Sequence, residues 1–155
     1  MVVRVQREDF DLGAELAGLR AGRVDIGALV SFTGLVRDAA GGLLGFELEH
    51  YPGMTERALA AIEAEARARW PLQACLIVHR FGALAPGEQI MMVATASAHR
   101  GAAFAAAEFL MDFLKSRAPF WKKETRAAGA AWVDARKSDE AALARWSEPE
   151  AAGRG

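Results

Sequence analysis

Two long helical segments set among short apolar segments constrain most strongly what this chain can fold into. Residues 54–70 place apolar side chains at helical spacing, and Pro71 ends that helix. Residues 101–117 form a second, alanine-rich helix that ends before Pro119. The side chains predicted to face the core are Leu59, Ile62 and Ala66 in the first helix, and Phe104, Ala107, Met111 and Leu114 in the second.

Strand segments lie before, between and after these helices. Leu44, Phe46 and Leu48 alternate with small or charged residues, which predicts a strand with one face in water. Segment 24–32 is apolar and partly β-branched, and it predicts a buried strand. Further strands are predicted over 75–78, 90–96, 120–125 and 131–134, and shorter helices over 11–21 and near 138–146. Because both helices and short turns join the strands, we predict an α+β domain rather than a regular parallel sheet.

The composition is that of one globular domain of ordinary size. The 155 residues are 52% hydrophobic, which is enough for a packed core, and 25% charged, which is typical of a globular chain. Residues 1–146 are therefore predicted to form a single domain. Residues 147–155 are polar and contain Gly and Pro, so we expect a flexible C-terminal tail.

Charge, hydropathy and cysteine usage exclude several classes of function. The net charge of −1 argues against a nucleic-acid-binding or membrane-binding protein. No apolar run reaches the roughly 18 residues that span a bilayer, and the start lacks the apolar stretch of a signal peptide, so we expect a cytoplasmic protein. Cys75 is the single cysteine, and its apolar surroundings predict an inert thiol. The sequence contains no metal-binding, dinucleotide or nucleotide motif, so neither a metal nor a cofactor is predicted.

Basic residues are nevertheless concentrated in one part of the chain. From His99 to Arg126 there are six Lys or Arg residues and only three Asp or Glu residues. His99 and Arg100 precede the second long helix, where free backbone N–H groups and the helix dipole favour an anion. The alternative is that His99 caps the helix and Arg100 pairs with a surface carboxylate. Arg37 follows a predicted strand, a position that suits a site but is more often merely exposed.

Lys115 and Lys122 lie on either side of Pro119, which forces an extended path after the helix and lets both lysines face one pocket. An amine close to other cations has a lowered pKa and can act as a base, a nucleophile or a charge stabiliser. The alternative is a solvated lysine pair around an aromatic core segment. His50 and His79 are predicted to be structural. These residues alone predict a cationic pocket for a phosphorylated or carboxylated ligand.

Five segments of the chain together resemble one protein family. In chain order they read FTGLVR at 32–37, LEHYPGMT at 48–55, SAHR at 97–100, KSRAPFWKKE at 115–124 and WVDAR at 132–136. Their order and spacing, from about residue 3 to Trp146, are similar to those of the MoaE family, the large catalytic subunit of molybdopterin synthase.

The resemblance implies an α/β hammerhead-type fold with an additional antiparallel β subdomain. It also implies a homodimer within a heterotetramer, in which each large subunit binds a small ubiquitin-like sulfur carrier. The C-terminal Gly-Gly of that carrier would bear a thiocarboxylate, enter the pocket and deliver sulfur to cyclic pyranopterin monophosphate. Two such transfers would form the dithiolene of molybdopterin in molybdenum cofactor biosynthesis. Because the sulfur arrives on the partner, the implied reaction needs no catalytic cysteine.

The resemblance also implies roles for individual residues. Lys115 would lie beside the thiocarboxylate and stabilise the acyl oxyanion or transfer a proton, and Lys122 would be the second catalytic lysine in the pterin pocket. The implied substrate-binding residues are Leu35, Val36, Arg37, His99, Arg100, Lys123, Glu124 and Arg136. Leu35 stands where many relatives have a cation. Some of these groups would act on the substrate of the neighbouring large subunit.

Two other functions remain possible. A non-catalytic module that binds a phosphorylated metabolite would use the same cationic pocket without turnover. A protein that only docks an acidic partner would use the basic stretch without needing Lys122 or His99.

Overall fold

A computed structural model describes residues 2–133 and 137–147 and contains two four-stranded sheets. The first sheet has the order β1 (Val2–Gln6), β4 (Leu72–Arg80), β6 (Gln89–Ser97), β2 (Ala28–Leu35). The second has the order β5 (Gly82–Leu84), β3 (Leu43–His50), β7 (Phe120–Arg126), β8 (Gly129–Val133). Strands β1 and β4 are parallel, and the other described pairs are antiparallel. The predicted α+β class and the additional antiparallel sheet are confirmed.

Four helices pack against the first sheet or against one another. They are α1 (Leu12–Arg20), α2 (Met54–Arg69), α3 (Arg100–Ser116) and α4 (Lys137–Ala144). Helix α2 follows Gly53, whose φ of 81° requires a residue without a side chain, and the Glu56 carboxylate accepts a hydrogen bond from the Gly53 N–H. All four predicted helices are therefore present. None in the described part of the chain is long and apolar enough to cross a membrane.

The core lies on both faces of the first sheet. On one face the sheet packs against α2 and α3, with buried Leu59, Ile62, Ala66, Ile77, Val93, Phe109 and Leu110 among its members. On the other face α1 covers Leu76, Val78, Met92 and Ala94 together with Phe10. A third cluster, formed by Val36, Leu43, Phe46, Leu48 and Leu84, fills the inner side of the second sheet.

Helix α3 presents a different face to the sheet than its large apolar residues predict. Its buried residues are Ala103, Ala106, Ala107, Phe109 and Leu110. Small alanine side chains let the helix lie close to the sheet, so the inward face is set by volume rather than by hydrophobicity. The prediction that Phe104 faces the core is wrong, since this residue is 62% exposed. Met111 and Leu114 are only partly buried.

Strand β2 differs from its prediction in position and in burial. It begins at Ala28 rather than at residue 24, because Arg23 pairs with Asp25 and donates to the Gln73 carbonyl, which ties the preceding segment to a loop. The strand also lies at the edge of the first sheet and pairs only with β6 there. The prediction of a fully buried strand is therefore wrong, and Phe32 and Leu35 are exposed.

Because of a register shift in β3, one of the residues predicted to face the core is exposed instead. Phe46 and Leu48 are buried as the alternation predicts, but Leu44 is 69% exposed and Leu43 is buried instead. The pairing register with β7 shifts between Leu43 and Gly45, so Leu43 faces the core and Leu44 faces solvent. The sequence patterns do not predict β1. The predicted tail over 147–155 lies outside the described residues except for Ser147.

Candidate active site

Strand β7 carries different groups on its two faces. Its inner face, defined here as Phe120, Lys122 and Glu124, lies on the same side of the second sheet as the β3 residues with which it pairs. Register pairs Lys122 with Leu48 and Glu124 with Phe46, and both of those β3 residues are buried. Its outer face, defined as Trp121, Lys123 and Thr125, pairs with the exposed residues Glu49 and Glu47 and with Gly45. The structure therefore brings Lys122 and Glu124 together and places Lys123 on the opposite side, with its Nζ 5.8 Å from the centre of the Trp132 ring.

Lys115 lies at one end of an open groove between the edge strand and α3. This β2–α3 groove has a volume of about 510 Å³. Its lining consists of Val30, Ser31, Phe32, Phe104, Ala107, Glu108, Met111, Asp112 and Lys115. Lys115 occupies the last turn of α3 and is exposed. The groove is mainly apolar along its length and ends at a cation.

His79, at the end of β4, is a buried residue whose pKa both lysines affect by their charge. Its ring stacks on Phe120, with 3.6 Å between the ring centres and 14° between the planes. Burial lowers the pKa of His79 to about 4, a hydrogen bond to the Arg80 carbonyl opposes that shift, and the charges of Lys122, Lys115 and His50 lower the pKa further. The two lysines, one from α3 and one from β7, therefore both act electrostatically on the same buried ring.

The segment between the two lysines is held by a buried threonine. Thr55, in the first turn of α2, accepts a hydrogen bond from the Tyr51 N–H at 3.0 Å. The Thr55 hydroxyl donates to the Pro119 carbonyl at 3.2 Å. Pro119 immediately precedes β7, so this contact fixes the start of the strand relative to α2.

The three residues at the end of β2 have different environments. Val36 is buried in the core of the second sheet, and its backbone forms hydrogen bonds with Glu88 and Gly87. Leu35 and Arg37 are exposed. Within the described part of the chain, Arg37 makes neither a hydrogen bond nor an ion pair. Its guanidinium is thus available for an anion.

His99 and Arg100 lie at the opposite end of α3 from Lys115. Their separation along the helix axis is about 24 Å, so one chain does not place these cations in the pocket of the lysines. The His99 side chain makes no capping hydrogen bond, and Arg100 pairs with no carboxylate among the described residues. His99 thus occupies the N-cap position without a side-chain cap, and the described residues do not show the alternative ion pair of Arg100. Arg136 lies outside the described residues.

Sequence patterns missed several groups at this site. His79 and His50 are predicted to be structural, and both rings do pack, but no pattern places them beside the lysines. His79 contacts Phe120, whereas His50 has its Nε2 3.8 Å from Glu56 Oε1 and its ring centre 4.1 Å from that of Phe81. The sequence feature that could have indicated a role for His79 is its position near the end of an otherwise apolar strand. The groove residues Phe32 and Phe104 were missed because periodicity assigns both to the core.

Two further observations concern metal-binding groups and the cysteine. No group of three His, Cys, Asp or Glu side chains in the described ranges could hold a metal ion. Cys75 is buried, and burial together with the negative charge of Glu63 raises the pKa of its thiol to about 12. The thiol therefore stays protonated, as the apolar strand predicts.

The chain matches known proteins over most of its length. A family model described as MoaE protein matches residues 5–117. The chain belongs to the MoaE family. The molybdopterin synthase catalytic subunit of Cereibacter sphaeroides is 64% identical over 146 residues, which cover 94% of this chain and 100% of that protein.

Solved MoaE structures have the same fold. A molybdopterin biosynthesis MoaE protein from Burkholderia ambifaria is 59% identical, with a TM-score of 0.81 and coverage of 95% of this chain and 99% of that one. Molybdopterin synthase from Staphylococcus aureus is 32% identical, with a TM-score of 0.76 and coverage of 84% and 95%. This chain is accordingly an enzyme of molybdenum cofactor biosynthesis that transfers sulfur.

Proposed function

We propose that Lys115 and Lys122 carry out the transfer of sulfur from the thiocarboxylated C-terminus of a small ubiquitin-like partner to cyclic pyranopterin monophosphate. The observation that carries this proposal is that the charges of both lysines, one on α3 and one on β7, lower the pKa of the same buried residue, His79. Lys115 is also reached from outside through the β2–α3 groove. A donor entering by the groove and a substrate bound near Lys122 would therefore meet between the two amines.

The β2–α3 groove suits an extended peptide tail. Strand β2 lies at a sheet edge, so the backbone groups along its outer side have no strand partner among the described residues. A peptide can pair with such an edge by main-chain hydrogen bonds while its side chains contact the apolar wall of Phe32, Phe104 and Met111. A terminal Gly-Gly has no side chains, which lets its carbonyl carbon approach Lys115 closely.

The two amines can supply the charge stabilisation that acyl chemistry at a thiocarboxylate needs. Once the thiocarboxylate sulfur has bonded to the pterin, water adds to the acyl carbon, and negative charge develops on the acyl oxygen of the tetrahedral intermediate, where an ammonium N–H directed at that oxygen stabilises it. The bond between the acyl carbon and the sulfur then breaks, which leaves the sulfur on the pterin and a carboxylate on the tail. Lys115, which lines the β2–α3 groove, would supply this N–H group. Lys122 and Glu124, side by side on the inner face of β7, would contact the pterin substrate.

A phosphate on the substrate would need cations that one chain does not bring together. Arg37 is available beside the end of β2, but His99 and Arg100 are about 24 Å along α3 from Lys115. We therefore propose that a second large subunit supplies His99, Arg100 and Arg136, in a homodimer within a heterotetramer. Strand β8 supports this proposal, because its five residues are exposed at a sheet edge and none is charged. An uncharged, exposed edge of that kind can pair with another chain.

The decisive experiment is a conversion assay with the Lys115→Ala variant. The chain, the thiocarboxylated partner and cyclic pyranopterin monophosphate are incubated together, and the dithiolene product is measured by mass. We expect a loss of rate on the order of 100-fold or more, because a preorganised charge next to the reacting group is removed. Binding of the partner and the oligomeric mass should stay unchanged.

Arg20→Ala is the matched control, since Arg20 is a basic residue in the last turn of α1, on the other face of the first sheet. This variant should convert the substrate at the rate of the unaltered chain. A normal rate for Lys115→Ala would refute the assignment of that lysine. If the unaltered chain bound the phosphorylated substrate but never turned it over, the chain would be a binding module instead.

A further inference from the structure

His79 is a buried ring at the junction of the two sheets that the proposed function does not use. The residue is 6% exposed and belongs to the first sheet, whereas Phe120, on which its ring stacks, belongs to the second. A second ring contact, between His50 of β3 and Phe81, lies on the same side, with 4.1 Å between ring centres. Aromatic contacts of this kind add specific geometry to the packing of the two sheets.

The hydrogen bond of His79 determines which of its ring nitrogens is free. Nδ1 is 2.8 Å from the Arg80 carbonyl oxygen, which can only accept, so Nδ1 carries the proton. In the neutral ring Nε2 then keeps its lone pair. Burial and the nearby cations hold the pKa of His79 at about 4, so the ring stays neutral at physiological pH.

The surroundings of the ring are mostly cationic. Lys122 of β7, Lys115 of α3 and His50 of β3 each lower the pKa of His79 by their charge, and Glu56 of α2 lies beyond His50, 3.8 Å from its Nε2. Lys122 is two residues from Phe120 on the same face of β7, so the Cα atoms of these two residues are about 7 Å apart. A lone pair near ammonium groups can accept a hydrogen bond from one of them.

We propose that His79 is a positioning residue that orients the Lys122 ammonium in the sulfur transfer, through its stack on Phe120 and through a hydrogen bond accepted at Nε2. This inference rests on the role proposed for Lys122. The stack holds β7 against β4, and the lone pair directs the amine that extends from the same face. His79 itself does not touch the substrate.

Variants at position 79 separate the two contributions. His79→Phe keeps a ring that can stack on Phe120 but has no lone pair, whereas His79→Gln keeps an acceptor. For His79→Phe we expect kcat to fall by about 10- to 100-fold, with KM for the pterin substrate and the Kd for the partner within about twofold. His79→Gln should recover part of that loss. Because the lost hydrogen bond favoured the charged lysine, the alkaline limb of the pH–rate profile should move to lower pH in His79→Phe.

Ile77→Val is the matched control, since Ile77 is buried two residues earlier on the same strand and therefore on the same face as His79, but has no polar group. It should leave kcat and the alkaline limb unchanged. A His79→Phe enzyme with the kcat and pH profile of the unaltered chain would overturn the proposal, and so would equal losses in Ile77→Val. Activity of the unaltered chain is measured first, so that failure of the proposed function is recognised separately.

A spectroscopic measurement tests the same contact without relying on turnover. In the folded chain labelled with nitrogen-15, the His79 Nε2 resonance should move downfield when Lys122→Met removes the donor. A resonance that stays in place, with the fold shown intact by the remaining amide signals, would overturn the hydrogen bond and the proposal with it.

Discussion

The two faces of β7 differ far more than the sequence of that strand suggests. Lys122 and Lys123 are neighbours with the same side chain, yet the first faces a buried leucine and the second faces an exposed glutamate. On the inner face, burial and the charges of nearby cations together lower the pKa of His79. On the outer face, the lysine lies near a tryptophan ring that is 55% exposed. The difference teaches that position on the pleat, rather than residue type, decides which lysine is available for chemistry.

The outer face has the character of an interaction surface. Trp121 contacts Tyr51 edge to face, with 4.2 Å between ring centres, and both are exposed. Glu47 and Glu49 lie opposite Lys123 and Trp121 on β3. Exposed tyrosine and tryptophan side chains beside charges of both signs are typical of surfaces that another protein covers.

The largest effect is expected when the two lysines of β7 are compared directly. Lys122→Ala should lower the rate of sulfur transfer by on the order of 100-fold, because a group at the reacting centre is lost. Lys123→Ala should change the rate at saturating partner by less than about threefold, because its side chain points away from that centre. Single-turnover conversion of the pterin substrate measures both. Equal losses in the two variants would remove the distinction between the faces and restore the substrate-binding role implied for Lys123.

The inner face should also determine part of the pH dependence of stability. The pKa of His79 is lowered from its usual 6.5 to about 4 in the folded chain, so between these values the unfolded chain binds the additional proton. The free energy of unfolding therefore falls as the pH is lowered from 6.5 to 4, by a contribution on the order of 3 kcal/mol from this group.

Urea unfolding at several pH values, compared with His79→Phe, isolates the contribution of His79. The variant has no group that titrates at this position, so its stability should decline less steeply over that pH range. If the two stability curves ran parallel, the buried ring would not be the source of the pH dependence.

The smallest effect is expected for the hydrogen bonds of Thr55, which fix the position of Pro119 and therefore the start of β7. Thr55→Val leaves the Tyr51 N–H and the Pro119 carbonyl without their partner, at a cost of about 1–3 kcal/mol in the free energy of unfolding. Thr55→Ser keeps the hydroxyl and should retain most of the stability. Thermal unfolding distinguishes them. A serine variant as unstable as the valine variant would show that the methyl group, and not the hydrogen bonds, holds β7.

Helix and hairpin positions could be predicted from the sequence because they depend on local signals. Pro71 and Pro119 end α2 and α3 within a few residues of the predicted bounds, and Gly129 begins β8 as the turn signal indicates. The faces of these elements were less predictable. Periodicity assigns Phe104 to the core, but the close approach of alanines to the sheet rotates it outward.

The site was only partly predictable for a related reason. The sequence predicts that Lys115 and Lys122 face one pocket, because Pro119 constrains the short path between them, and the structure adds that the charges of both lysines lower the pKa of His79. His99 and Arg100 share a basic segment with the lysines, but the length of α3 separates the two groups, which a count of charges does not reveal. His79 could not be assigned to the site, because its contact with Phe120 joins strands from different sheets.

The burial of Cys75 protects the thiocarboxylate donor from a side reaction with the enzyme's own thiol. A free thiolate that attacked the acyl carbon of a thiocarboxylate would form a thioester with the enzyme and release the sulfur as hydrosulfide, so the sulfur would be lost to the acceptor. Here the chain's one thiol is buried, and its pKa of about 12 keeps it protonated. The protein can therefore bind a reactive thiocarboxylate without exposing a thiolate that would attack it. The donor tail then keeps its sulfur until the transfer to the acceptor.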